Sequence, residues 1–169
     1  ATRFHIRAAR ETDLPLVATF PQTPAELFYV HPSARFPLTA EQLLPNFLNR
    51  SGNSVVEVAG RVAAFANYIS VTAQGDAIIG NVVVDPAQRG TGVGRALLEY
   101  LMQRAVDEHD CCRALIPCFN ENTQGLLFYL RLGFEPLRYE TRTDPQGQVV
   151  VLFYLQRALD SAGKRPHVR

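Results

Sequence analysis

Three glycines at alternate positions stand in the run Val84-Asp85-Pro86-Ala87-Gln88-Arg89-Gly90-Thr91-Gly92-Val93-Gly94-Arg95. An apolar strand precedes the run and an amphipathic helix follows it, so the glycines fall at a strand-to-helix turn. Without side chains, they let a ligand reach the backbone and leave the N–H groups of Gly90 to Arg95 uncovered. A helix start adds partial positive charge, and the guest that suits both features is a phosphate. The spacing is not that of a nucleotide fold. A dinucleotide fingerprint needs Gly-x-Gly-x-x-Gly after the first strand, and a P-loop needs a closing Gly-Lys-Ser/Thr. Here the run is Gly-x-Gly-x-Gly after the fourth expected strand. The plain alternative is a tight strand–helix turn that binds nothing.

A second constellation lies in Asn122-Thr123-Gln124-Gly125-Leu126-Leu127-Phe128-Tyr129. At 100° per residue, Asn122 and Tyr129 fall within about 20° of each other on one helix face, with Gly125 between them. Glycine costs a helix interior about 1 kcal/mol relative to alanine. An amide, a gap and a phenol along one stripe therefore suggest a groove for a slim ligand chain. Read without a ligand, Tyr129 is a core aromatic and Asn122 an N-cap; Asn122 fits both roles.

Together these segments resemble the GNAT superfamily of N-acetyltransferases. The family's cofactor-loop signature, [Arg/Gln]-x-x-Gly-x-[Gly/Ala], is met by Arg89, Gly92 and Gly94. The stretch Asn122-x-x-Gly125-x-x-x-Tyr129-x-x-x-Gly133-Phe134 is similar to its second motif, where alanine is more usual at position 125. The order of expected elements agrees from Arg3 to about Arg157. The resemblance implies direct transfer of an acetyl group from acetyl-CoA to a primary amine. It implies that Arg89, Gly90, Thr91, Gly92, Val93, Gly94 and Arg95 hold the CoA pyrophosphate, mainly through backbone N–H groups. It implies that strand backbone at Val82, Val83 and Val84 pairs with the pantetheine arm and faces the oxyanion. Asn122 and Gly125 would meet the pantetheine, and Tyr129 would protonate the departing thiolate. A neutral phenol, with reference pKa about 10, suits that role.

Many members carry a glutamate in the strand before the loop to deprotonate the amine. Here that strand reads Ile78-Ile79-Gly80-Asn81-Val82-Val83-Val84, with no carboxylate. Asn81 can position a water but cannot take a proton. Glu26, His31, Glu57 and Asp76 are candidates for the base, and each also reads as an ordinary surface group; Tyr68 is equally open. The rival from another functional class is a non-catalytic CoA-binding sensor or interaction module.

These residues need a frame. Arg3 to Ala8 alternates as a half-buried strand does. Leu14 to about Phe20 reads as a short helix. Phe20 to Pro45 is the least regular part, because Pro21, Pro24, Pro32, Pro37 and Pro45 prevent one long helix. Its aromatics either line an acceptor pocket or fill the space between short helices; Phe28 and Tyr29, with Asn81, are the acceptor-contact candidates. Thr39 to Arg50 reads as a helix, Thr39 its N-cap and Gln42 completing a capping box. Gly52-Asn53-Ser54 reads as a turn. Val55–Ala59 and Val62–Val71 form a hairpin across Gly60-Arg61. Ala77–Val84 is a central strand in which Gly80 marks a bulge or a close backbone approach. A helix from Gly92 to about His109 leads by a crossover to a parallel strand, Arg113–Cys118. Asn122–Leu132 is a helix ended by Gly133. Phe134–Arg142 and Gln148–Leu155 close the fold as a hairpin. The expected fold is α/β: a mixed, mostly antiparallel sheet of six or seven strands, splayed around a cofactor, with about four helices. It forms a single domain over residues 1–159, and Asp160–Arg169 is read as a mobile tail.

Composition sets the outer bounds. The 169 residues are 47% hydrophobic and 20% charged, as in a globular domain with a full-sized core. A net charge of +1 points to neither nucleic acid nor acidic lipid. The longest apolar runs are strand-sized, and no apolar secretory core stands at the N-terminus. Cys111, Cys112 and Cys118 are too clustered for a disulfide framework and lack zinc spacing with a histidine. The expectation is a reduced cytoplasmic protein without a metal, a monomer or homodimer. Its partners would be acetyl-CoA and a small-molecule or peptide amine.

Overall fold

A computed structural model describes residues 3–160, so the expected tail, beyond Asp160, lies outside the described residues. The strands are β1 (Phe4–Ala8), β2 (Ser51–Val58), β3 (Arg61–Val71), β4 (Asp76–Val84), β5 (Arg113–Phe119), β6 (Glu135–Thr143) and β7 (Val149–Ala158). The helices are α1 (Leu14–Val17), α2 (Pro24–Val30), α3 (Ala40–Asn49), α4 (Val93–His109) and α5 (Thr123–Arg131). One seven-stranded sheet runs in the order β1-β2-β3-β4-β5-β7-β6. Every pairing is antiparallel except β4 with β5.

That exception builds the site. β4 and β5 pair only at their starts, Asp76–Ile78 against Arg113–Leu115. Beyond those rungs the strands diverge, and among the described residues the rest of β4 has no strand partner on that edge. A bulge contributes to the divergence. Between Phe65↔Val83 and Asn67↔Gly80, three steps on β4 oppose two on β3. The odd residue is Asn81, at φ 50. Asparagine is among the few non-glycine residues that tolerate this left-handed region. A bulge bends its strand and raises the local twist.

Two cores fix the sheet. On one face α4 lays Leu97, Leu98, Leu101, Met102 and Ala105 onto Val56, Ala64, Ile79, Ile116 and Leu155. Each fully buried leucine there contributes roughly 1.5–3 kcal/mol. On the other face Leu14, Val17, Phe20, Leu27 and Leu43 cover Val55, Val62, Phe65 and Val83. The tyrosine left open by sequence belongs to this frame: the Tyr68 hydroxyl donates to the Leu101 carbonyl and ties β3 to α4.

Three sequence expectations need correcting. Gly52-Asn53-Ser54 is not a turn but the start of β2, where the register slips between Ser51↔Tyr68 and Ser54↔Ala66. Gly52 sits at φ 63, and a Cβ there would lie 2.4 Å from the Tyr68 ring. Bulges and turns use the same residue types, which is why composition alone misreads this one. Second, the irregular stretch from Phe20 to Pro45 holds a short helix of its own, α2. Thr23 caps it by accepting from the Glu26 N–H, and Pro24 opens it, where a missing N–H costs nothing. Third, the capping box of α3 is half-formed. Thr39 Oγ accepts from the Gln42 N–H, but the Gln42 side chain turns away to bond the backbone of Arg35 and Pro37.

Candidate active site

The loop between β4 and α4 carries two left-handed glycines, Gly90 at φ 77 and Gly92 at φ 90. Gly92 is the N-cap of α4, and no side chain caps the helix. The N–H groups of Gly92, Val93, Gly94 and Arg95 meet no protein acceptor among the described residues. They are the orphan donors of a helix start, and they suit a pyrophosphate. A Cβ at Gly90 would meet nothing within 4 Å, so the loop's outer face is open. Gly94 serves packing, since a Cβ there would press to 3.2 Å from Phe128 and 3.3 Å from Val84. Val93 turns its side chain into the core, leaving only its N–H to the loop. Thr91 Oγ1 is spent on the Gln88 carbonyl at 2.6 Å. Arg95 is well exposed beside the loop, 3.6 Å from Glu99.

Arg89 holds the loop to α2. Its guanidinium grips both oxygens of Glu26, at 3.1 and 3.2 Å. Burial pushes the Glu26 pKa up, but the Arg89 bonds and the Gln22 N–H outweigh it and leave it below the ordinary value. Glu26 is therefore an ion-pair partner rather than a base.

Where β4 and β5 part there is a cleft of about 290 Å³. Gly80, Asn81 and Val82 form one wall, Ile116, Pro117 and Phe119 the other, with Asn122 and Tyr129 of α5 also lining it. Val82 faces this cleft, whereas Val83 is buried in the opposite core and Val84 packs against the main one. A larger hollow of about 440 Å³ beside α1 and α3 touches none of the motif residues.

Tyr129 is buried against Phe134, ring centroids 6.2 Å apart, and Phe128, at 5.3 Å. Among the described residues no group bonds its hydroxyl, yet that oxygen is not sealed from solvent. It opens into the cleft. Burial, with a smaller contribution from Cys118, holds its pKa well above that of an ordinary phenol, so it carries its proton at any working pH. Gly133, at φ 87, ends the helix and returns the Phe134 N–H to the Tyr129 carbonyl at 3.1 Å. Asn122 caps α5, its Oδ1 accepting from the Gly125 N–H at 3.0 Å. A Cβ on Gly125 would sit 2.4 Å from Asn122 Nδ2. The gap read from sequence as a ligand groove is thus filled by the Asn122 amide.

The remaining base candidates are engaged elsewhere. Arg7 binds Glu57 at 2.8 Å and Asp13 at 2.8 Å, on the β1–β2 side. Asp76 is held by both arms of the Arg113 guanidinium at 2.8 Å. His31 is buried behind the cleft with its pKa lowered by that burial. Asn81 is a structural node: its Oδ1 accepts from Asn46, Arg50 and Asn67, and its Nδ2 donates to the Val30 carbonyl at 2.8 Å. Tyr29 lines the cleft, while Phe28 stacks on Phe119 at 4.4 Å and steadies that ring.

Sequence reasoning missed Arg50, Phe119, Arg142 and Tyr154, which also line the cleft. Tyr154 donates to Glu140 Oε1 at 2.9 Å, so a cleft residue does reach a carboxylate, on β6. No local pattern marks these residues, because their positions depend on strand pairing across the sheet.

The sequence profile of the acetyltransferase (GNAT) family matches residues 16–134. Among solved structures, the ribosomal-protein-S18-alanine N-acetyltransferase from Escherichia coli is 23% identical, over 98% of this chain and 100% of that one, with a TM-score of 0.73. The yncA protein from Salmonella typhimurium, solved with acetyl-CoA, is 20% identical over 98% and 99%, with a TM-score of 0.69. A ribosomal-protein-alanine N-acetyltransferase from Brucella melitensis is 25% identical over 92% and 99%, with a TM-score of 0.68. A comparison with curated protein sequences gives no match.

Proposed function

The chain belongs to the GNAT family of acetyltransferases, whose donor is acetyl-CoA, and on that premise we propose that it acetylates a primary amine by direct attack. Acetyl-CoA supplies an activated acetyl group as a thioester. The α4 N-terminus and the loop N–H groups bind its pyrophosphate, and the unpaired edge of β4 at Val82 to Val84 receives its pantetheine arm. An N–H on that edge polarises the acyl oxygen. Asn122 holds the entrance to α5. Tyr129 gives its proton to the leaving sulfur. The observation that carries this reading is the Tyr129 hydroxyl, protonated, without a partner among the described residues, and open to the cleft at which β4 diverges from β5.

Direct attack is favoured over an acetyl-enzyme by Cys118. It is the cysteine nearest to Tyr129 in the electrostatics of the site, but it is buried and lies outside the cleft lining. Burial pushes its pKa up to about 12, so at neutral pH almost none of it is the reactive thiolate. Initial rates with both substrates varied should therefore give intersecting reciprocal plots, and labelled CoA should not exchange into acetyl-CoA when amine is absent. Parallel plots together with exchange would establish a covalent intermediate instead.

A further inference from the structure

Among the described residues Arg50 is a cation without an anion. It follows the last residue of α3 and is half-buried in the cleft wall. Its Nη1 donates to Asn81 Oδ1 at 2.8 Å and to Asn67 Oδ1 at 3.3 Å, and both acceptors are neutral amides. Among the described residues no carboxylate comes within ion-pair distance of it. Burial lowers its pKa, and no neighbouring acid raises it back. A buried charge is costly unless it is paired, and a guanidinium is shaped to grip a carboxylate with two parallel bonds.

The surroundings are arranged to admit it. Gly80 has no side chain at the point where Arg50 passes over β4: a Cβ there would lie 3.0 Å from Arg50 Nη1 and 2.5 Å from Ile69. Arg142 reaches the cleft from β6, its own charge already met by Glu140 at 2.9 Å. The lining thus holds two arginines and, among the described residues, no aspartate or glutamate of its own. Such a wall repels a simple alkylammonium ion. It accepts an amine that carries its own negative charge, and a cation close to the ammonium also favours the amine's neutral, nucleophilic form.

We propose that the acceptor is a small amino carboxylate and that Arg50 receives its carboxylate while the amine faces the acyl group. The proposal rests on the acetyl-transfer reading above and names its substrate class. The rings of Tyr29, Phe119 and Tyr154 in the same cleft suit an apolar or aromatic side chain on that acceptor.

Matched pairs test this: methionine against methioninamide, and phenylalanine against phenylalaninamide, with acetyl-CoA saturating. The acids should exceed the amides by about tenfold or more in kcat/KM, the equivalent of roughly one charged contact. Arg50→Gln should bring the ratio close to one, and Arg50→Lys should leave it in between; melting curves confirm that both variants fold. Equal or better turnover of the amides by wild type, as a peptide-like acceptor would give, overturns the proposal. So does a ratio unchanged in both variants. If neither member of a pair releases thiol, the acetyl-transfer reading is judged separately, on a wider panel of amines. Calorimetric titration of phenylalanine and phenylalaninamide into the CoA-loaded protein then decides. Binding of the acid alone, lost in Arg50→Gln, upholds the carboxylate site, and equal heats for acid and amide refute it.

Discussion

Replacing Tyr129 by phenylalanine should lower kcat by about 10²–10⁴-fold, the usual worth of general-acid catalysis. The substitution keeps the ring and its packing on Phe128 and Phe134. It removes only a hydroxyl that has no partner among the described residues, so the fold should lose little stability. The CoA dissociation constant should also stay close to that of wild type, because the proton is given only as the carbon–sulfur bond breaks. The pH profile offers a second reading of the same residue. An acid must be protonated to act, and burial raises the Tyr129 pKa, so no alkaline loss of kcat from this group should appear below about pH 10. A fall of less than about threefold would mean that water or the amine protonates the thiolate. An unchanged kcat in a well-folded variant would remove Tyr129 from the mechanism.

The second large effect is expected at Gly92. A β-branched residue at φ 90 is strained whatever space surrounds it, and the nearest atom to a Cβ there, on Phe4, is 3.9 Å away. Gly92→Val should therefore act through the backbone, turning the α4 N–H groups away from the pyrophosphate. Hydrogen bonds to a charged acceptor are worth about 1.5–3 kcal/mol each. Loss of two of them weakens CoA binding by about 10²–10⁴-fold. CoA at 100 times its dissociation constant should stabilise the wild type by about 2.7 kcal/mol, and should give the variant almost nothing. A variant that melts as wild type does and still shifts with CoA would locate the pyrophosphate elsewhere.

What the sequence disclosed, and what it hid, follows from the range of the forces involved. The glycine loop was legible because a left-handed φ at Gly90 and Gly92 excludes almost every other residue. Gly133 was legible for the same reason, and the Asn122–Tyr129 stripe because helical register is local. The almost wholly apolar run of β4 betrayed a central strand. Asn81 could not be read correctly. It looked like a polar residue free to hold a water, but its partners Asn67, Arg50, Asn46 and Val30 lie between 14 and 51 residues away. Glu26 was likewise indistinguishable from a surface carboxylate until Arg89, 63 residues on, closed on it. Arg142 and Tyr154 line the same cleft as Arg50 from β6 and β7, whose order beside β5 no local pattern encodes. At Gly125 the residue-type anomaly was legible, but the side chain packed against it, the neighbouring Asn122 amide, was not.

Thiol release from acetyl-CoA across a panel of amines tests whether this cleft carries out acetyl transfer from CoA to an amine. Alkylamines, amino acids, amino amides, aminoglycosides and short peptides, each followed with a thiol reagent and by mass spectrometry, cover the acceptor classes. Release is expected only when a suitable amine is present, with one N-acetyl product formed for each thiol freed. Tight CoA binding with no release for any amine would instead identify a sensor or interaction module, and release at the same rate without amine would identify a hydrolase.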